Sequence, residues 1–158
     1  FLIIKNFRLT EKTYNNMIRI IKCTPADYQM LVAIWERSVR ATHKFLPGEV
    51  IDDIKQVMAT DYLPMVDIYA LEADGVFSGF IGLSCRKIEM LFIDTDCIGK
   101  GYGSMLIDYA KQHGAYLVDV NEQNETAMNF YIAKGFKIIS RDEKDEAGRP
   151  FPILHMTL

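Results

Sequence analysis

Apolar positions along this chain switch between a period of two and a period near 3.6, and the switches lay out its elements. Met17-Ile-Arg-Ile-Ile-Lys-Cys23 reads as a first strand. Met30, Leu31, Ile34, Trp35, Ser38 and Val39 keep helical spacing, with Thr24 or Asp27 as cap, Pro25 in the first turn and Trp35 in the core. Pro47-Gly48 breaks the chain, and a second helix is predicted over Glu49 to Thr60. Three strands follow, Met65 to Glu72, Val76 to Ser84 and Lys87 to Ile93, joined by turns at Ala73-Asp74-Gly75 and Ser84-Cys-Arg-Lys87. Gly79 and Gly82 inside the middle strand predict a bulge or a close backbone approach.

The second half repeats the alternation. Tyr102, Met105, Leu106, Tyr109, Ala110 and His113 share one helix face, and Gly114 stands where a C-cap belongs. A short buried strand is predicted over Tyr116 to Asn121. Asn124 then caps a helix with Glu125 in its first turn, Ala127, Phe130 and Tyr131 facing inward and Gly135 closing it. Phe136 to Ser140 and Phe151 to Met156 form a last hairpin around the charged loop Arg141 to Arg149. Strands and helices in this mixture predict an α/β layered domain over residues 17–158. Residues 1–16 match none of its elements and are expected to be an upstream or non-native extension, the other reading being an extra strand from apolar Phe1 to Ile4.

Composition narrows the function. At 158 residues, with 49% hydrophobic and 25% charged positions, the chain is sized for one domain with a real core. A net charge of −3 argues against a nucleic-acid binder and suits a cationic substrate weakly. Apolar runs are too short for a membrane span, and Phe1-Leu-Ile-Ile is too short for a secretory signal. Three scattered cysteines, Cys23, Cys85 and Cys97, fit free thiols in a reducing cytoplasm, and His43, His113 and His155 never cluster with them at metal spacing.

The candidate chemistry gathers between Glu89 and Phe136. Leu91, Phe92 and Ile93 end a strand, and Gly99-Lys100-Gly101-Tyr102-Gly103-Ser104 opens a helix. A helix start leaves about four backbone N–H groups unpaired and carries roughly half a positive charge, so a glycine-rich approach to it can cradle an anion. The spacing fits neither the P-loop nor the dinucleotide fingerprint, and a plain glycine-rich turn remains the alternative.

Taken with Asn121-Glu-x-Asn124-x-x-Ala127-x-x-Phe130-Tyr131-x-x-x-Gly135-Phe136, this loop resembles the GNAT superfamily of N-acetyltransferases. The first segment is similar to that family's pyrophosphate loop, Arg/Gln-x-x-Gly-x-Gly/Ala, and the second to its other cofactor motif. One departure is Ile98, where the family carries Arg or Gln. Ala41-Thr42-His43-x-Phe45-Leu46 and Gly148-Arg-Pro150-Phe-Pro152 resemble the YjaB-type branch of small bacterial members. The resemblance implies a mixed, mostly antiparallel twisted sheet of six to seven strands with about four helices, and acetyl-CoA held in a V between the fourth and fifth strands. No metal is implied, and the chain is expected as monomer or homodimer.

The implied roles follow the chemistry of moving an acetyl group to a primary amine. Leu91, Phe92 and Ile93 pair with the pantetheine, residues 98–104 hold the pyrophosphate, and Asn124 caps its helix and meets the pantetheine. The Ile93 amide offers a donor to the carbonyl oxygen. Tyr131 gives a proton to the leaving thiolate, or else simply packs. Only about one lysine-like amine in 2,500 is neutral at pH 7, so a base is needed. Glu89 is the expected base, with Tyr69, His43 and His155 in competition; His43, Phe45, Tyr69 and His155 are the expected acceptor contacts. A non-catalytic acyl-CoA binder of the same fold, or a partner-binding domain without cofactor, are the alternatives.

Overall fold

The structure is a computed structural model that describes residues 17–158; residues 1–16, and the extension expected there, lie outside the described residues. The elements are β1 (Ile18–Lys22), α1 (Tyr28–Thr42), α2 (Gly48–Val57), β2 (Asp67–Ala73), β3 (Val76–Ser84), β4 (Lys87–Ile93), α3 (Tyr102–Gln112), β5 (Leu117–Asn121), α4 (Glu125–Ala133), β6 (Lys137–Asp142) and β7 (Ile153–Thr157). They form one seven-stranded sheet in the order β1-β2-β3-β4-β5-β7-β6. Every neighbouring pair is antiparallel except β4 and β5. Among the described residues, the expected mixed, mostly antiparallel sheet is therefore present at seven strands with four α-helices.

Strand alternation splits the core between the two faces. Adjacent residues Phe80 and Ile81 of β3 are both fully buried, on opposite sides. One side packs Leu71, Ile81, Ile88, Val118 and Val120 against Leu106, Ile107 and Ala110 of α3 and Tyr131 of α4. The other packs Ile68, Ala70 and Phe80 against Leu31, Ile34, Trp35 and Val39 of α1 and Ile51 of α2. Val118 and Val120 belong to the α3 side, so Asp119 between them faces the other way. There it joins Lys87, His155 and, through His155, Asp142.

Several boundaries differ from the sequence expectation. The second helix ends at Val57, and a wider turn spans Met58–Tyr62, its Leu63 N–H reaching the Met58 carbonyl. Met58 and Leu63 are both buried; the wide turn brings these residues, five apart, to one side. Pro64 then sits in a short 3-10 turn, Leu63–Met65, so Met65 leaves the strand and is three-quarters exposed. On α3 the buried set is Leu106, Ile107 and Ala110, while Met105 points outward. The expected irregularity in β3 is real. Pairing with β2 shifts opposite Gly79, and a Cβ there would meet the Ile93 Cδ1 at 2.6 Å and the Phe92 carbonyl at 2.8 Å.

Candidate active site

The site begins where two parallel strands part. β4 and β5 pair at Lys87–Leu117 and Ile88–Val118, and among the described residues the pairing stops there. β4 continues to Ile93 with β3 on its far side. Backbone groups alternate along a strand between its two edges. The Asp94 N–H bonds the Ser78 carbonyl at 2.9 Å, toward β3. Phe92 therefore also faces β3, and the N–H groups of Leu91 and Ile93 face the open edge.

Beyond β4 the chain enters the glycine loop. Gly99 and Gly101 hold φ of +84° and +81°, a left-handed conformation that side-chain-bearing residues rarely take, and Gly101 is the N-cap of α3. A Cβ at either position would meet no atom within 4 Å, so backbone conformation rather than crowding requires glycine. Asp94 anchors the loop's start: Arg37 of α1 donates from Nε at 3.0 Å and Nη2 at 2.5 Å to its two carboxylate oxygens. That pairing holds the Asp94 carboxyl below the usual carboxylate range.

A cavity of about 480 Å³ joins these parts. Its walls include Leu91, Phe92 and Ile93, the loop residues Ile98, Gly99, Gly101, Tyr102, Gly103 and Ser104, and Asn124 and Tyr131 of the α4 segment. Asn124 caps α4, accepting the Ala127 N–H at 3.1 Å. The Tyr131 ring stands edge-on to Phe130 and Phe136. Burial pushes its phenol well above the ordinary value, and among the described residues no charge or hydrogen bond offsets it. The open glycine backbone, the unpaired first turn of α3 and the free strand edge fit a phosphate-bearing, amide-bearing ligand such as acetyl-CoA.

A smaller cavity, about 120 Å³, fills the split itself. It shares His43, Leu91, Phe92, Asn124, Ala127 and Tyr131 with the first and adds Glu89, Asp119 and Asn121. Glu89 lies 3.6 Å from the Lys87 ammonium, which lies 2.7 Å from Asp119. Burial works against the Lys87 charge, but the Asp119 hydrogen bond and the charges of Asp119, Glu89 and Glu146 outweigh it and raise its pKa. His155 bonds Asp119 at 2.7 Å and Asp142 at 3.0 Å, and these bonds raise its pKa.

Of the expected acceptor contacts, only His43 lines these cavities. Phe45 stands behind it, its ring 5.4 Å from the imidazole and 6.1 Å from Phe151. His155 touches the smaller cavity only through Asp119. Tyr69 is on the α3 side of β2, its ring 4.9 Å from Tyr109 and 6.1 Å from His113, away from both cavities. Lys100 borders neither cavity; its ammonium is 4.0 Å from the Cys97 thiol. Ser38, Thr42 and Asp119 are cavity residues that the sequence reading passed over. Signals existed: Ser38 and Thr42 are one helical turn apart, and Asp119 breaks an apolar strand.

Comparison with known proteins agrees with this geometry. The family model "Acetyltransferase (GNAT) domain" matches residues 40–158, and the chain belongs to that family: it is an acetyl-CoA-dependent N-acetyltransferase. Among curated relatives, the Peptidyl-lysine N-acetyltransferase YjaB of Salmonella typhimurium is 37% identical over 142 residues, covering 89% of this chain and 97% of that protein. The solution structure of apo YjaB from Escherichia coli superimposes with a TM-score of 0.82 at 36% identity, covering 89% of this chain and 97% of that one. A PaiA N-acetyltransferase from Thermoplasma acidophilum, crystallised with coenzyme A, shares the fold at a TM-score of 0.69 and 20% identity, over 90% and 99% of the two chains.

Proposed function

We propose that this protein acetylates a primary amine presented as a lysine side chain of a protein, by direct attack in a ternary complex. The observation that carries this is one cavity walled by the free edge of β4, the glycine loop and Tyr131. Leu91 and Ile93 offer N–H groups at that edge much as an added strand would need them. Gly99, Gly101 and the first turn of α3 offer donors for a pyrophosphate. When bound, acetyl-CoA supplies an acetyl thioester, whose sulfur end belongs beside Tyr131 at the junction of the two cavities. The Ile93 N–H is assigned to the acyl oxygen, as a fixed donor that cannot ionise.

Tyr131 is assigned to the leaving sulfur. A free thiol has a pKa of about 8.5 and a phenol about 10 before burial raises it. Full transfer of the phenol proton to a thiolate is therefore uphill, and the side chain acts by donating a hydrogen bond as charge grows on sulfur. Tyr131→Phe is expected to lower kcat by about 10 to 100-fold while the affinity for acetyl-CoA stays within about threefold. Thiol release against calorimetric binding checks both, and unchanged turnover would leave the tyrosine a packing residue.

The lysine acceptor is supported by two carboxylates, Glu89 and Asp119, in the smaller cavity. It is also supported by the name of the curated relative YjaB, a peptidyl-lysine N-acetyltransferase. A cytoplasmic setting agrees with three free cysteines. Among the described residues, no helix is long and apolar enough to cross a membrane. Glu89, expected from its strand position to take the acceptor's proton, already faces the Lys87 ammonium. We assign it to attracting the cation. An amine panel spanning lysine peptides, free amino acids and small polyamines, read by thiol release, tests the acceptor class; a preference for the small amines would displace the protein-lysine reading.

A further inference from the structure

We propose that His43 is the proton acceptor of the reaction, held ready by a directional hydrogen-bond chain from the end of α1 to the start of α4. This rests on the acetyl-transfer reading above and assigns a residue within it.

The chain's direction is set by counting protons. Thr42 Oγ1 lies 2.8 Å from the Ser38 carbonyl and 2.8 Å from His43 Nδ1. A hydroxyl has one proton, and a carbonyl only accepts. Thr42 therefore donates to Ser38, and both contacts are satisfied only when His43 Nδ1 carries a hydrogen and donates to Thr42. At the other end the Asn124 Oδ1 accepts from the Ala127 N–H at 3.1 Å. Its Nδ2 is the atom that faces His43 Nε2, at 3.4 Å. An amide nitrogen donates, so Nε2 must present a lone pair. Backbone groups at both ends thus select the same form of the ring: neutral, with hydrogen on Nδ1 and a lone pair on Nε2.

That lone pair stands where it is needed. His43 and Tyr131 are among the few residues that wall both cavities, the one assigned to the thioester and the one assigned to the amine. The Asn124 contact at Nε2 is long, so a stronger donor such as an ammonium can replace it. The N–H bond of the ammonium breaks, its electron pair stays on nitrogen for attack, and the proton joins Nε2. As the carbon–nitrogen bond forms and the carbon–sulfur bond breaks, the sulfur leaves as thiolate and takes the second proton shed by the attacking nitrogen, giving the free thiol; the imidazolium returns the first proton to solvent when product leaves. Across the smaller cavity, the titratable groups are Glu89 of β4, Asp119 of β5 and Tyr131 of α4; the larger adds Cys97 and Tyr102. Phe45 and Phe92 flank the ring at 5.4 and 6.4 Å. Burial among these groups lowers the His43 pKa, which keeps the ring neutral at pH 7.

The test uses the whole protein with a lysine peptide as acceptor and thiol release against pH. Long-range 1H–15N spectra of the 15N-labelled protein read the ring itself, assigned by the signal that His43→Gln removes. The expected spectrum is neutral with hydrogen on Nδ1, titrating below pH ~6.5. His43→Gln is expected to lower kcat by about 100-fold or more and to erase the acidic ionisation, with acetyl-CoA affinity within about threefold. Glu89→Gln is expected to raise the KM for the peptide and keep the ionisation. Thr42 is a positioning residue: Thr42→Val should shift the ring toward hydrogen on Nε2 and lower kcat, and Thr42→Ser should restore both. An imidazolium or an Nε2–H ring at pH 7, or a His43→Gln profile that keeps its ionisation, overturns the proposal. Absence of thiol release by the wild-type protein with every amine would instead overturn the acetyl-transfer reading itself, and the ring spectrum would stand regardless.

Discussion

Single side chains show where sequence reading reaches its limit. Tyr131 was legible as a cavity residue because the residues around it form a motif with few other uses. Tyr69 looked equally suited to the acceptor side, yet alternation along β2 turns it toward Tyr109 and His113. A register shift elsewhere in the same strand pair makes the face of any one residue hard to count from the sequence. His155 was read as an acceptor contact and instead links β7 to β5 and β6 through Asp119 and Asp142. The two hydrogen bonds raise its folded-state pKa above the ordinary value near 6.5. Stability from a raised histidine is fully present below that ordinary value and lost as pH climbs through the folded one. Asp142→Asn is therefore expected to unfold more readily than the wild type at about pH 6, with the gap closing by about pH 9. The size should stay under about 1 kcal/mol, because Asp142 is largely exposed. Urea midpoints at the two pH values check the sign; a gap that widens with pH would contradict the pairing.

Elements were read more reliably than their ends. The seven strands and four helices of the described residues were all anticipated, because short apolar runs bounded by turn residues mark strands and a period of 3.6 marks helices. Ends failed where local backbone overrode the pattern. Pro64 and the wide turn before it took Met65 from its strand, and the last hairpin begins a residue or two later at each arm than predicted. The loop into α3 was legible from its glycines, and it yields a controlled prediction. Gly101→Ala and Gly148→Ala place the same methyl group at φ of +81° and +76°. Each should cost about 1–2 kcal/mol of stability through left-handed strain. Only Gly101 caps the helix assigned above to the pyrophosphate, so only Gly101→Ala is expected to weaken acetyl-CoA binding, by roughly tenfold. Thermal unfolding and calorimetry separate the two effects; equal affinities in both variants would move the phosphate elsewhere.

At the scale of the molecule, the parting of β4 from β5 governs both fold and site. Two residue pairs join the β1–β4 portion of the sheet to the β5–β7–β6 portion, and the Lys87–Asp119 ion pair and the packing of Ile88 and Val118 with α3 and with Tyr131 of α4 add to the connection. The open groove is therefore a mechanical seam as well as the proposed binding surface. A ligand that pairs with one bank and touches the other closes that seam, and its binding energy becomes folding energy. At about 100 times its dissociation constant, acetyl-CoA should add about 2.7 kcal/mol, a rise in Tm of roughly 5–10 °C. The rise alone would follow from binding anywhere, so hydrogen exchange must locate it. Because the Asp94 N–H points to β3, the Phe92 amide should be protected with or without ligand. Leu91 and Ile93, facing the groove, should exchange fast alone and slow when acetyl-CoA is present. That alternation reports the strand's orientation residue by residue. If all three amides slow together, the ligand is tightening β4 from a distance; if Phe92 alone responds, the strand presents its other edge, and the Ile93 amide cannot serve the acyl oxygen.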